Sequence, residues 1–169
     1  KEVDLGGEWP SVSFRDLILQ YGNIDINEYN TKELLLQKIY DEKIEIECDT
    51  PLEDLGYGNL VDQLYKKIAR PNVVNPIFLT EHPISLSPLA RANDDNPEIT
   101  DRFQLIINGA EIINAYSELV DPQEQERRLE VQAALKADGD EEAMPMDHEY
   151  ISAMEVGMPP ISGWGMGID

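Results

Sequence analysis

Cysteine and histidine are nearly absent from this chain. The single cysteine, Cys48, leaves no internal disulfide framework to build, and a reducing, cytoplasmic setting is expected from it. The two histidines, His82 and His148, lie far apart in sequence, so the chain by itself does not assemble a Cys/His zinc site. No Gly-rich phosphate loop of the GxxxxGK[ST] kind is present. No apolar run is long enough to span a bilayer, and no membrane partner is expected. Lys1-Glu2-Val3-Asp4 offers neither the basic start nor the apolar stretch of a signal peptide, and it lacks an initiator Met. The expectation is a chain that starts inside a longer protein. Positive charge is scarce as well: 13 Lys and Arg against 34 Asp and Glu give a net −21. Such a surface repels phosphate backbones, and it suits a cationic ligand, either a metal ion or an amine. An ordinary solvated acidic surface accounts for most of that charge.

What remains is a sequence of 169 residues, 41% apolar, enough for one domain around one core. The first third reads as short helices and loops. Ser13 caps a helix over Phe14–Tyr21, with Gly22 as its stop. Asn30 and Glu33 have capping-box spacing before Leu34, Leu35, Leu36 and Ile39. Leu60, Leu64 and Ile68 form a helical stripe that Pro71 ends. Pro76–Thr80 is a short apolar run suited to a buried strand. Asp121-Pro122 opens a mostly solvated helix running to about Ala137, and Asp147 caps another that reaches Val156.

The clearest local signal is Asn108-Gly109. It joins Arg102–Ile107 to Ala110–Leu119, and both residues tolerate the positive φ of a type I′ turn, so a β-hairpin is expected. A two-residue turn pairs Ile107 with Ala110, Ile106 with Glu111 and Leu105 with Ile112. Strict alternation then puts Gln104, Ile106 and Glu111 on one face, and Asn114, Tyr116 and Glu118 on the other. The second set is an amide, an aromatic ring and a carboxylate, one ladder step apart. It suits an amino acid with a cationic side chain. The ring covers a methylene stem or meets a cation, and the carboxylate accepts the ammonium. At about 4 Å and an effective dielectric near 20 that pair is worth on the order of 4 kcal/mol before desolvation. The same pattern also fits a half-exposed sheet face turned to water. Glu111 reads either as a solvated acid beside a turn or as a ligand for magnesium.

From about Tyr57 onward the chain resembles the class II lysyl-tRNA synthetases. The resemblance rests on Gly58-Asn59-Leu60-Val61-Asp62, Asn75–Pro83, Ser87-Pro88-Leu89-Ala90-Arg91, Asp101-Arg102-Phe103 and Asn114–Leu119. It continues through Asp140–Asp147 and Gly157-Met158-Pro159-Pro160 to Gly163-Trp164-Gly165-Met166-Gly167-Ile168-Asp169, which looks like motif 3 of that family. It implies an α+β fold, part of the class II catalytic domain, whose mostly antiparallel sheet is flanked by helices. Residues 1–74 would be a helical or insert region, and 75–169 the active-site strands and motif 3.

By resemblance, Asn114, Tyr116, Glu118, Gly163 and Gly165 bind lysine. Glu111, Gly167 and Asp169 face ATP, and Glu111 with Gln104 holds Mg2+. Three positions depart from the family pattern: Gln104 replaces a second metal-binding Glu, Ala110 an Arg, and Trp164 a smaller aliphatic residue. The implied reaction is activation of L-lysine by ATP followed by transfer to tRNA(Lys), in a homodimer formed through parts upstream of Lys1. The basic tRNA-binding surface would lie on those parts too. An ATP-gripping arginine would follow at position 170, so the chain as given is expected to be inactive. A lysyltransferase acting on a translation elongation factor and a non-catalytic lysine-binding module are the competing readings. If Glu111 and Asn114 share one pocket, a bulge near Ile112-Ile113 is required, because residues three apart face opposite ways in a regular strand.

Overall fold

The computed structural model describes residues 2–167. Among the described residues the strands and α-helices follow one another as β1 (Ser11–Ser13), α1 (Phe14–Gly22), α2 (Lys32–Asp41), α3 (Tyr57–Ile68), β2 (Ile77–Thr80), β3 (Arg102–Ile107), β4 (Ala110–Ser117), α4 (Pro122–Ala137), α5 (His148–Glu155) and β5 (Ser162–Met166), with short 3-10 turns at Arg70–Asn72 and Ile84–Leu86. The strands form one sheet in the order β1-β2-β3-β4-β5. β1 runs parallel to β2, and every other neighbour is antiparallel. This is the α+β arrangement expected. β1 comes from the first part of the chain and joins the sheet beside β2.

The helix starts follow their caps. Ser13 Oγ accepts from Asp16 N at 3.0 Å, and Asp121 Oδ1 accepts from Gln123 N and Glu124 N. Asp147 Oδ1 accepts from Tyr150 N at 2.9 Å. α1 ends one residue later than expected, because Asn23, at φ 51°, takes the left-handed position instead of Gly22. α2 is capped by Thr31 and not by Asn30, since the Thr31 hydroxyl is the group that reaches Leu34 N. α3 has no side-chain cap of its own at Gly56. Its cap comes from Asp140, a fully buried carboxylate that accepts from Gly56 N at 2.7 Å and Asn59 Nδ2 at 2.8 Å.

Most of the apolar core lies where α1, α2 and α3 cover one face of β1–β3, with Phe14, Ile18, Leu35, Leu60, Leu64, Leu79 and Ile106 among its buried members. A second, smaller cluster of Leu129, Ile151 and Met154 joins α4 to α5. β4 and β5, at the far side of the sheet from β1, carry the candidate site.

Candidate active site

The hairpin forms as the Asn-Gly signal requires, with Asn108 at φ 49° and Gly109 at φ 73°. Its register holds for two pairs, Ile107 with Ala110 and Ile106 with Glu111, and then shifts. Leu105 pairs with Ile113, not with Ile112, and Gln104 pairs with Asn114. Ile112 is therefore the extra residue of a bulge, at the place the shared-pocket reading demanded. The bulge also corrects the division of faces. Gln104, Glu111, Asn114 and Tyr116 all fall on one side of the sheet, while Phe103, Leu105, Ile113 and Ala115 fall on the other.

β5 completes the site. Gly163 pairs with Tyr116 and Gly165 with Asn114, so the side of β5 that faces the polar row is bare backbone. Ser162, Trp164 and Met166 alternate to the opposite side. The result is a cavity of about 470 Å³ lined by Glu111, Ile112, Asn114, Tyr116, Glu118 and the backbone around Gly163, Gly165 and Gly167. Every expected lysine- or ATP-facing position within the described residues lines this one cavity. Asp169, the remaining one, lies outside the described residues. The indole of Trp164, two-thirds exposed, belongs to a separate apolar cavity on the reverse face with Phe103, Ile113 and Ala115.

Each side chain is held by identifiable neighbours. Glu118 stands just past β4, where backbone bonds fix it on both flanks: its N–H donates to Ile161 O, and Leu119 N donates to Leu89 O. The Ser87–Arg91 stretch runs along this edge, with Arg91 N donating to Ser117 O. α4 pins the stretch through Gln125 Nε2 to Pro88 O at 3.1 Å and Arg128 Nη1 to Ala90 O at 2.8 Å. Burial raises the pKa of the Glu118 carboxyl, and burial followed by the charge of Glu118 raises that of the Tyr116 phenol. A desolvated carboxylate beside an aromatic ring favours a cation as its partner.

Gln104 is buried between two groups. Its Nε2 donates to the Glu111 carboxylate, and its Oε1 lies 3.2 Å from His82 Nε2. His82 is itself buried, and desolvation with the nearby charge of Arg102 brings its pKa down to about 3. The Glu111 carboxylate can only accept, and this fixes the amide: the Gln104 nitrogen faces Glu111, its oxygen faces His82, and the neutral imidazole meets that oxygen as a donor through Nε2. Among the described residues no group of three or more His, Cys, Asp or Glu could hold a metal ion.

Residues that the sequence reading did not single out complete the support. Arg102 sits across the ladder from Tyr116, and its Nε donates to Asn114 Oδ1 at 3.0 Å. Its Nη1 donates to Ser87 Oγ at 2.9 Å and to Leu86 O at 3.2 Å. Both Ser87 and Arg102 fall within quoted motifs, but nothing in their spacing announces a joint role.

The family model for tRNA synthetases class II (D, K and N) matches residues 1–169. The chain belongs to the class II tRNA synthetase family. It is 42% identical over 168 residues to the lysine–tRNA ligase of Thermosipho africanus, 38% over 168 residues to that of Helicobacter hepaticus, and 40% over 169 residues to that of Porphyromonas gingivalis. These alignments cover 99%, 99% and 100% of this chain, but only 32%, 31% and 28% of the respective relatives. The chain thus spans about a third of the length of the curated relatives it matches. No helix among the described residues is long and apolar enough to cross a membrane.

Proposed function

We propose that the complete protein containing this chain is a lysine–tRNA ligase, and that the cavity above β4 and β5 binds L-lysine beside ATP. The observation that carries this reading is the bulge at Ile112, which sets Glu111 on the same cavity as Asn114, Tyr116 and Glu118. Glu118 accepts the ε-ammonium of lysine, and Tyr116 lies along the methylene stem. Asn114 meets the α-substituents. Gly163, Gly165 and Gly167 allow backbone to approach lysine and adenosine closely.

In the first step an oxygen of the lysine carboxylate attacks the α-phosphorus of ATP. The bond to the bridging oxygen of the β-phosphate breaks, and pyrophosphate leaves. In the second step the 3′-terminal ribose hydroxyl of tRNA(Lys) attacks the carbonyl carbon of the adenylate. AMP leaves, and the hydroxyl proton is lost to solvent. Neither step needs a protein acid or base. The side chains position the reactants and balance charge.

Glu111 fits a magnesium ion, because its exposed carboxylate is a hard oxygen ligand at the rim of the cavity. When bound, the ion neutralises charge on the phosphates. Gln104 serves this position through its N–H, which aims the Glu111 carboxylate. A cytoplasmic homodimer, assembled through parts outside this chain, belongs to the same proposal.

The test is ATP–pyrophosphate exchange by the complete protein. Lysine-dependent exchange, with ornithine and arginine far weaker, is the expected result. Exchange that does not depend on lysine, or none at all, overturns the reading.

A further inference from the structure

Asn114 has an amide that could present either its oxygen or its nitrogen to the cavity. Its neighbour decides which. Arg102 Nε–H can only donate, and it meets Asn114 Oδ1 at 3.0 Å. A flipped amide would set N–H against N–H. The Nδ2 group is consequently the end left to meet a ligand, and a donor there selects an acceptor. In lysine the acceptor atoms are the carboxylate oxygens.

Arg102 is in turn held on its far side. Ser87 Oγ and Leu86 O accept from Nη1, so the guanidinium plane is tied at one end to the turn before β3 and at the other to Asn114 on β4. A lysine at this position would keep the charge but not the fixed fork of donors.

We propose that Arg102, anchored by Ser87, is a positioning residue that locks Asn114 as a hydrogen-bond donor and so makes this end of the cavity read the carboxylate of the bound amino acid. The inference rests on the lysine reading of the cavity given above. It assigns the two ends different chemistries: Glu118 for the ammonium, and Asn114, through Arg102, for the carboxylate.

Cadaverine, which is lysine without its carboxylate, separates the two ends. Titration calorimetry on the complete protein compares L-lysine with cadaverine. Arg102→Lys is expected to weaken L-lysine about tenfold and to leave cadaverine within about twofold. Ser87→Ala, which keeps the guanidinium and removes one anchor, is expected to move L-lysine about threefold in the same direction. Equal weakening of both ligands, or of neither, overturns the role of Arg102 and leaves the lysine site standing. If thermal melting shows that Arg102→Lys does not fold, Ser87→Ala decides alone by the same ratio. Failure of the unmutated protein to bind L-lysine overturns the site reading and this inference together, and that result is seen before any variant is made.

Discussion

Gly163 lies directly under the carboxylate of Glu118: a Cβ built on Gly163 would stand 2.7 Å from Oε1. No real pair of such atoms sits that close, so any side chain at 163 must push the carboxylate from its place. Gly165, one pair further along β5, has nothing within 4 Å, and a Cβ there would enter open cavity. The two glycines are therefore not equivalent.

Gly163→Ala is expected to raise the KM for lysine about tenfold in pyrophosphate exchange, with the KM for ATP within about twofold. The melting temperature should hardly move, because the atom displaced is the end of a flexible side chain. An equal rise in both constants would show that the glycine serves the cavity generally and not Glu118.

Glu118→Gln removes the charge and keeps the shape. Lysine selectivity is expected to fall far more than ATP affinity. The pH dependence has a definite sign. Burial raises the folded-state pKa of Glu118 above its ordinary 4.5. For a group shifted this way, the stabilising contribution is fully present below the unfolded value and is lost as pH rises through the folded value. The ionised carboxylate thus weakens the unliganded fold at neutral pH, and Glu118→Gln should melt slightly higher there. Lysine binds the ionised form, so its affinity should fall as pH drops through that window from above. Calorimetric titrations across the acid range check this, and a flat profile counts against Glu118 as the ammonium's partner.

Gly58→Ala acts on the fold and reaches the site indirectly. A Cβ at Gly58 would lie 2.3 Å from the Ser85 carbonyl oxygen, which is backbone and cannot swing aside. α3 must then move away from the 3-10 turn Ile84–Leu86, whose last carbonyl accepts from Arg102. A loss of about 2 kcal/mol is expected, or about 5 °C in melting temperature. Lysine affinity should weaken with it. Unchanged melting would mean that the turn yields without cost.

Asp140→Ala leaves Gly56 N–H and Asn59 Nδ2 without their acceptor in the interior. About 3 kcal/mol of stability should disappear, whereas Asp140→Asn, which keeps one acceptor oxygen, should lose roughly half as much. Denaturant melts of the two variants distinguish them.

Much of this structure was legible in local sequence chemistry, and the rest depended on partners far along the chain. Asn108-Gly109 announced the hairpin because its turn type needs those residues. Ser13, Asp121 and Asp147 announced helices because a short polar side chain there satisfies a backbone N–H. Thr31 was missed in favour of Asn30 because two adjacent polar residues offer the same chemistry and only geometry chooses between them. β1 is three residues long and exists through its pairing with β2. β5 reads Ser-Gly-Trp-Gly-Met, and its alternating glycines carry no strand propensity. β4 supplies the template instead. In the site, the cavity residues were recognised from motifs, and the bulge followed from counting faces. Arg102, Ser87 and His82 were not, because their roles lie in contacts between segments that no spacing reveals.

The cap that Asp140 gives to α3 also sets an order of events. The helix begins at residue 57, but the carboxylate that satisfies its first turn lies 84 residues beyond Gly56. During synthesis, which runs from the N-terminus, α3 emerges with its leading amide uncapped and stays so until the segment after α4 has been made. The helices of the main core are thus available early, while their final docking waits for a late-arriving part of the chain. A contact this long in sequence slows folding and leaves the intermediate exposed meanwhile. One buried carboxylate in this way makes the completion of the first half conditional on the second.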